Sequence, residues 1–227
     1  MTVEVINMQG GGGSAPVLNF SDSFQRPDEP FYVGDNWYPV MSQGMLATGS
    51  NIAANTNIAA NNLVLTTPAA VPNAVFIPRL VSTNKIVGRN QFSQIKVTAY
   101  NVAAQLNAGQ GVWFNPQASL AIIGYYLRLS SNAGNVQAKI VYGFSPITTP
   151  AGATDQVIAI GDTIRIEARD NGASNEVKII VNAVTIQTIT DASANRPRAI
   201  NGIYGIAFES GSGGGSASFQ NYSGGVL

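Results

Sequence analysis

Residues 161–191 read GDTIRIEARDNGASNEVKIIVNAVTIQTITD. Ile164, Ile166 and Ala168 fall on one side of an extended chain, and Thr163, Arg165, Glu167 and Arg169 fall on the other. Asp170-Asn171-Gly172 then supplies a turn, since Asp and Asn side chains bond nearby backbone and Gly accepts positive φ. Val177, Ile179 and Val181 resume the alternation, although Ile180 puts an apolar residue on the outer face. Asn182-Ala183 turns the chain again and 184–189 returns. A period of two interrupted by tight turns specifies antiparallel hairpins and excludes an amphipathic helix.

The pattern extends outward. Short apolar runs at 63–65 and 74–77 are bounded by Pro and Asn, and 94–100 and 126–129 alternate. Asn132-Ala133-Gly134-Asn135 places a turn before the run 136–142. The near-duplicate NIAANT/NIAANN at 51–62 has a period of six, but two copies build no solenoid, and it reads as strand-loop-strand. No segment of helical length shows apolar spacing of three and four; one short helix at 102–108 is the most the pattern allows. Many short strands with turn residues between them predict an all-β, two-sheet antiparallel sandwich. Residues 16–227 suit one such domain.

Ahead of it, residues 1–15 read as an extended N-terminal arm. Val3, Val5 and Ile6 form an apolar patch, and Gly10–Gly13 form a linker. This is either a disordered terminus or a strand donated to a neighbouring subunit, with Val3, Val5 and Ile6 as the partner-binding residues.

Composition removes whole classes of chemistry. The 227 residues include no Cys and no His, which excludes disulfides, thiol catalysis, Cys-based zinc sites and a Ser-His-Asp triad. Charged residues are 11% and net charge is zero, so no electrostatic footprint for nucleic acid exists. No apolar run reaches membrane-spanning length, and the N-terminus lacks the basic and apolar regions of a signal peptide. The expectation is synthesis in a cytoplasm, with no nucleic-acid or membrane partner.

Two segments resemble the concanavalin A-like (laminin G-like) jelly rolls of bacterial and phage surface proteins. One is Asp22-Ser-Phe24-Gln-Arg26 followed by Asp35-Asn36-Trp37. The other is the 161–191 hairpin region with Gly202-Ile-Tyr-Gly205-Ile after it. Phe219-Gln-Asn-Tyr222 resembles the last strand, which the resemblance places beside the first. The implied fold is a concanavalin A-like jelly roll over about 22–222; it implies no single activity, because lectins, glycan hydrolases and structural modules share it.

Residues 22–40, DSFQRPDEPFYVGDNWYPV, concentrate five aromatics and four acids. Asp22, Asp28, Glu29 and Asp35 could supply oxygens to calcium, the one cofactor the sequence leaves open. The alternative reading is a strand and corner, with Phe24 and Trp37 as core anchors, Arg26 paired to an acid and 27–30 a rigid loop. Trp113, Tyr125 and Tyr38 could stack on sugars if exposed, or pack the core if not. Glycan hydrolysis needs two carboxylates about 5–10 Å apart. Asp162 and Glu167, or Glu167 and Asp170, fall on opposite faces of a regular strand. Asp162 and Asp170 read as turn residues, and Glu167 as a partner for Arg165 or Arg169. No Lys-Ser/Thr follows either glycine run, so neither is a phosphate loop; GSGGGS at 211–216 reads as a hairpin tip.

The expected function is a non-enzymatic structural protein of a phage virion surface. It would be a capsid decoration protein or tail-fibre domain, homo-oligomeric and held on capsid or tail subunits by its arm. The alternative is a carbohydrate-binding module or adhesin facing a host glycan, and a glycoside hydrolase is the distant third.

Overall fold

A computed structural model describes residues 2–6, 17–25, 27–30, 37–41, 56–67, 74–78, 88–101, 107–114, 124–143, 146–199, 202–209 and 215–227. Within them the chain is all strand and turn, without a helix. The strands are β1 (Thr2–Ile6), β2 (Val17–Asp22), β3 (Glu29–Pro30), β4 (Trp37–Met41), β5 (Thr56–Ala59), β6 (Asn62–Thr67), β7 (Ala74–Pro78), β8 (Gln91–Tyr100) and β9 (Asn107–Phe114). The second half contributes β10 (Tyr125–Asn132), β11 (Asn135–Tyr142), β12 (Gln156–Ile158), β13 (Thr163–Asp170), β14 (Asn175–Val181), β15 (Val184–Asp191), β16 (Ile203–Glu209) and β17 (Gly215–Val226).

They form two antiparallel sheets. The larger runs β15-β14-β13-β8-β17-β6-β5-β3, with β2 also paired to β17 and β1 to β2; the smaller runs β12-β11-β10-β9-β16-β7-β4. Ile164, Ile166 and Ala168 are fully buried, as their alternation requires, and so are Val177 and Ile179. Leu127, Leu129, Ala138 and Ile140 fill the core from the smaller sheet.

The tight turns follow their residues. Asn182 and Ala183 have φ of 49° and 67°, Ala133 and Gly134 49° and 83°, Ala60 and Asn61 48° and 61°. Two consecutive positive φ values are the type I′ geometry whose twist matches paired strands. The last of these turns closes β5 onto β6 within and just beyond the 51–62 segment read as strand-loop-strand, of which 51–55 lie outside the described residues.

β17 pairs with β2 through Tyr222↔Asp22, Ser223↔Ser21 and Gly224↔Phe20, so the last strand lies beside β2, the first strand of the 16–227 domain, where the resemblance placed it. Two expectations change. Residues 2–6 do not stand off the domain: β1 pairs with β2 of its own chain, Thr2↔Ser21 to Ile6↔Val17. An extended run of β-branched residues beside an open sheet edge takes the edge. The strands flanking the Gly-rich run, β16 and β17, lie in opposite sheets rather than pairing as a hairpin; residues 211–214 themselves lie outside the described residues. Residues 102–106, where a short helix was allowed, lie outside the described residues, and Asn107 and Ala108 belong to β9.

Candidate functional site

The acidic, aromatic stretch is a packed corner. The chain leaves β2 at Asp22, and Phe24 adopts φ 59°, a left-handed conformation that bulky residues rarely hold. Asp22 holds it there: Oδ1 accepts from Phe24 N at 2.8 Å while Oδ2 accepts from Trp37 Nε1 at 2.8 Å. The carboxylate, Phe24 and Trp37 are all buried. Trp37 packs edge-on against Phe20 (5.2 Å between centroids) and Tyr222 (4.9 Å), joining β2, β4 and β17. Phe24 and Trp37 are core anchors, as one reading of the sequence held.

The calcium expectation fares differently. Asp22 spends both carboxylate oxygens inside the core. Asp28 is exposed and accepts from Ala60 N at 3.0 Å, pinning the loop to the β5–β6 turn. Asp35, Arg26 and the side chain of Glu29 lie outside the described residues. Among the described residues, no three His, Cys, Asp or Glu gather as a metal site.

Trp113 and Tyr125 offer no face to a sugar. Trp113 is 1% exposed and Tyr125 fully buried, with ring centroids 5.8 Å apart. Trp113 lies at the end of β9, and Gly109 through Phe114 are buried without alternation. Trp113 has φ 57°, and a Cβ on Gly202 would stand 2.5 Å from its Cα, so the crossing closes only over glycine. The side chain of Tyr38 lies outside the described residues.

Around this pair sits a buried polar network that the sequence reading missed. Gln91 donates to Gly202 O (2.7 Å) and Gly88 O (3.1 Å) and accepts from Trp113 N (3.2 Å). Tyr125 donates to Asp191 Oδ2 at 2.6 Å, and Asn175 Nδ2 donates to Tyr125 Oη and to Pro197 O. Ser93 Oγ donates to Gly205 O and lies 3.1 Å from Tyr222 Oη. Burial raises the Tyr125 pKa, and the bond to Asp191 raises it further. Burial likewise raises Tyr204 and Tyr222. The signal was in the alternation of β8: Gln91 and Ser93 share parity with Ile95 and Val97, so they point inward and must find partners.

The remaining acids keep turns and pairs. Asp162 accepts from Ala159 N (2.7 Å) and Asn182 Nδ2 (2.7 Å), and Asp170 accepts from Gly172 N (2.8 Å). Glu167 pairs with Arg165 at 2.6 Å, while the Arg165 guanidinium stacks over Phe92 at 4.0 Å.

No protein-family model matches the chain, and no curated protein matches its sequence. Solved structures do match. Xylan β-1,4-xylosidase from Bacillus halodurans C-125 superposes with a TM-score of 0.58 at 12% identity, over 90% of this chain and 38% of that one. The Bacteroides ovatus xyloglucan PUL GH43B gives 0.54 at 15% identity, over 91% and 39%. The carbohydrate-binding module CBM66 from Bacillus subtilis gives 0.49 at 11% identity, over 84% and 95%. The fold is a concanavalin A-like jelly roll. Identity at this level carries the fold alone, and the chain spans about two-fifths of the length of the first two proteins.

Proposed function

We propose that the protein is a non-enzymatic module that acts through its surface, with carbohydrate as the ligand class. One observation carries the non-enzymatic half: Asp22, Asp162, Glu167, Asp170 and Asp191 each serve a turn, a strand pair or the core. Each of these five is thus engaged structurally, whereas glycan hydrolysis requires a pair of carboxylates free to act on the sugar bond. The carbohydrate half is supported by the proteins that share the fold, two of them named for xylan and xyloglucan. A nearly uncharged surface fits a neutral polyol better than an ionic partner. With Trp113 and Tyr125 in the core, such binding rests on backbone and amide hydrogen bonds.

Affinity electrophoresis in gels containing xylan, xyloglucan or mixed-linkage β-glucan, with a reducing-sugar assay alongside, tests both halves. Retardation by at least one polymer with no sugar released is the expected result. No retardation by any polymer removes the carbohydrate half, and released sugar removes the non-enzymatic half.

The second reading is a virion subunit, a capsid decoration protein or tail-fibre domain. It is supported by an N-terminal strand laid on the edge of the sheet, where exchange with a neighbour needs no new pairing geometry. It predicts that the protein co-sediments with particles and that particles stripped of it lose heat resistance.

A further inference from the structure

Residues 146–199 build the side of the sandwich where both sheets end. Among the described residues, β15 has one neighbour in the larger sheet and β12 one in the smaller. The two edges are tied together. Gln187 Nε2 donates to Thr154 Oγ1 at 2.6 Å and to Gly152 O at 3.4 Å, just ahead of β12. Asn182, in the β14–β15 turn, donates to Asp162 at the end of the β12–β13 loop. Of the five large apolar side chains exposed among the described residues, four lie here: Val157 (63%), Ile160 (50%), Val184 (63%) and Ile186 (38%). The fifth is Leu227, at the C-terminus.

We infer that this side is a self-association surface, on which β15 of one copy pairs antiparallel with β15 of a second across a two-fold axis. An edge strand presents unpaired N–H and C=O groups, and monomeric proteins guard such edges with lysine, proline, inward charge or bulges. From Val184 to Thr190 the strand has no lysine, no proline and no charge at all. Asp191 is buried and occupied, accepting from Tyr125 and from Ser193 N. One guard is present, a register shift opposite Ile179/Ile180 that leaves Ile186 as the extra residue; pairing with β14 resumes at Gln187. Thr185, Thr188 and Thr190 are exposed, and β-branched residues suit cross-strand pairing.

Charge selects the occupant. A two-fold antiparallel pairing sets each residue opposite another member of the same neutral run, so no like charges meet. An acidic or basic partner strand would find nothing to complement. The isologous geometry brings the apolar rim of each copy to the same axis, and Val157 and Ile160 widen the contact towards the roughly 1,000 Å² that a specific interface needs. This association does not depend on what the module binds, and loss of glycan binding would leave it untouched.

Sedimentation velocity from low micromolar to near-millimolar protein tests it, with hydrogen exchange at both ends of the range. The full chain is expected to dimerise, and β15 amides to gain protection at high concentration. The variant Ile186→Lys/Thr190→Lys is expected to stay monomeric with unchanged melting. Lys at 190 lies opposite Glu176 on β14, so the fold gains a partner while the dimer gains repulsion. A monomer at every concentration, or a variant that dimerises like the parent, overturns the inference. If the variant misfolds, the parent's exchange decides: concentration-independent β15 protection overturns the inference, and increased protection upholds it.

Discussion

Replacing Asp22 by Ala tests the corner that closes the sandwich. The carboxylate satisfies two donors, Phe24 N and Trp37 Nε1, each at 2.8 Å. Both residues are buried, so neither donor is expected to recover a water. An orphaned buried donor costs about 1–3 kcal/mol. Phe24 adds to this, because its left-handed backbone costs about 1 kcal/mol or more and loses the bond that holds it. The expected loss is about 4 kcal/mol. At roughly 2–4 °C per kcal/mol for a chain of this size, Tm should fall by about 8–16 °C. Asp22→Asn keeps one acceptor but turns an amide N–H towards the other donor, so about half the loss is expected. Calorimetry and urea unfolding measure both variants, with the parent also melted in excess chelator. A loss below about 1 kcal/mol for Asp22→Ala would refute the reasoning. So would a chelator-induced fall in the parent equal to that of the variant, since Asp22 would then hold a metal rather than two donors.

Three further outcomes follow from the same structure. Tyr125, Tyr204 and Tyr222 have pKa values raised by burial, so the neutral phenol stabilises the fold fully below the unfolded value of about 10, and that stability is lost as pH rises above it. Their phenolate absorbance should therefore appear together with loss of the β-sheet circular dichroism signal; all eight tyrosines titrating near pH 10 with the fold intact would contradict this. Gly109→Ala should prevent folding or cost more than about 3 kcal/mol, because its Cβ would meet the Leu127 carbonyl of β10, whereas Gly134→Asn, with open space at φ 83°, should melt within about 1 kcal/mol of the parent. Tyr125→Phe should destabilise by about 1–3 kcal/mol, because Asp191 Oδ2 loses its donor while Ser193 N still holds Oδ1, and should leave any polysaccharide affinity of the folded protein unchanged; a selective loss of affinity would return Tyr125 to the binding surface.

Local pattern carried much of the fold. The β13–β15 meander follows from alternation and from turns at Asp170-Asn171-Gly172 and Asn182-Ala183, where side chain and backbone agree on one conformation. Phe24 and Trp37 could be placed in the core because large aromatics are the packing mass of a sandwich. Sheet membership was less accessible: a glycine run permits a hairpin and a crossover equally, and only long-range pairing put β16 and β17 in different sheets. Trp113 stayed open between surface and core for a related reason. Glycine and proline around an aromatic look like an exposed loop, yet β9 is covered on both faces, so alternation vanishes. Neither Gln91 nor Asn175 carries a local sign of the partner it meets across the core.

The scarcity of charge links the interior to the exterior. With 11% charged residues, few side chains can guard an edge, and the salt bridges among the described residues gather on β11, β13, β14 and the segment before β12. Lys139 reaches Asp155 at 2.7 Å, and Lys178 reaches Glu176 at 3.0 Å. β15, one strand further out from β14, carries exposed Val, Ile and Thr instead. A strand with no cation of its own from Val184 to Thr190 lacks the charge that commonly guards an edge in monomeric sheets. Among the described residues, exposed apolar side chains gather on and beside these outermost strands, while the acidic corner and the buried aromatics are taken up by the core.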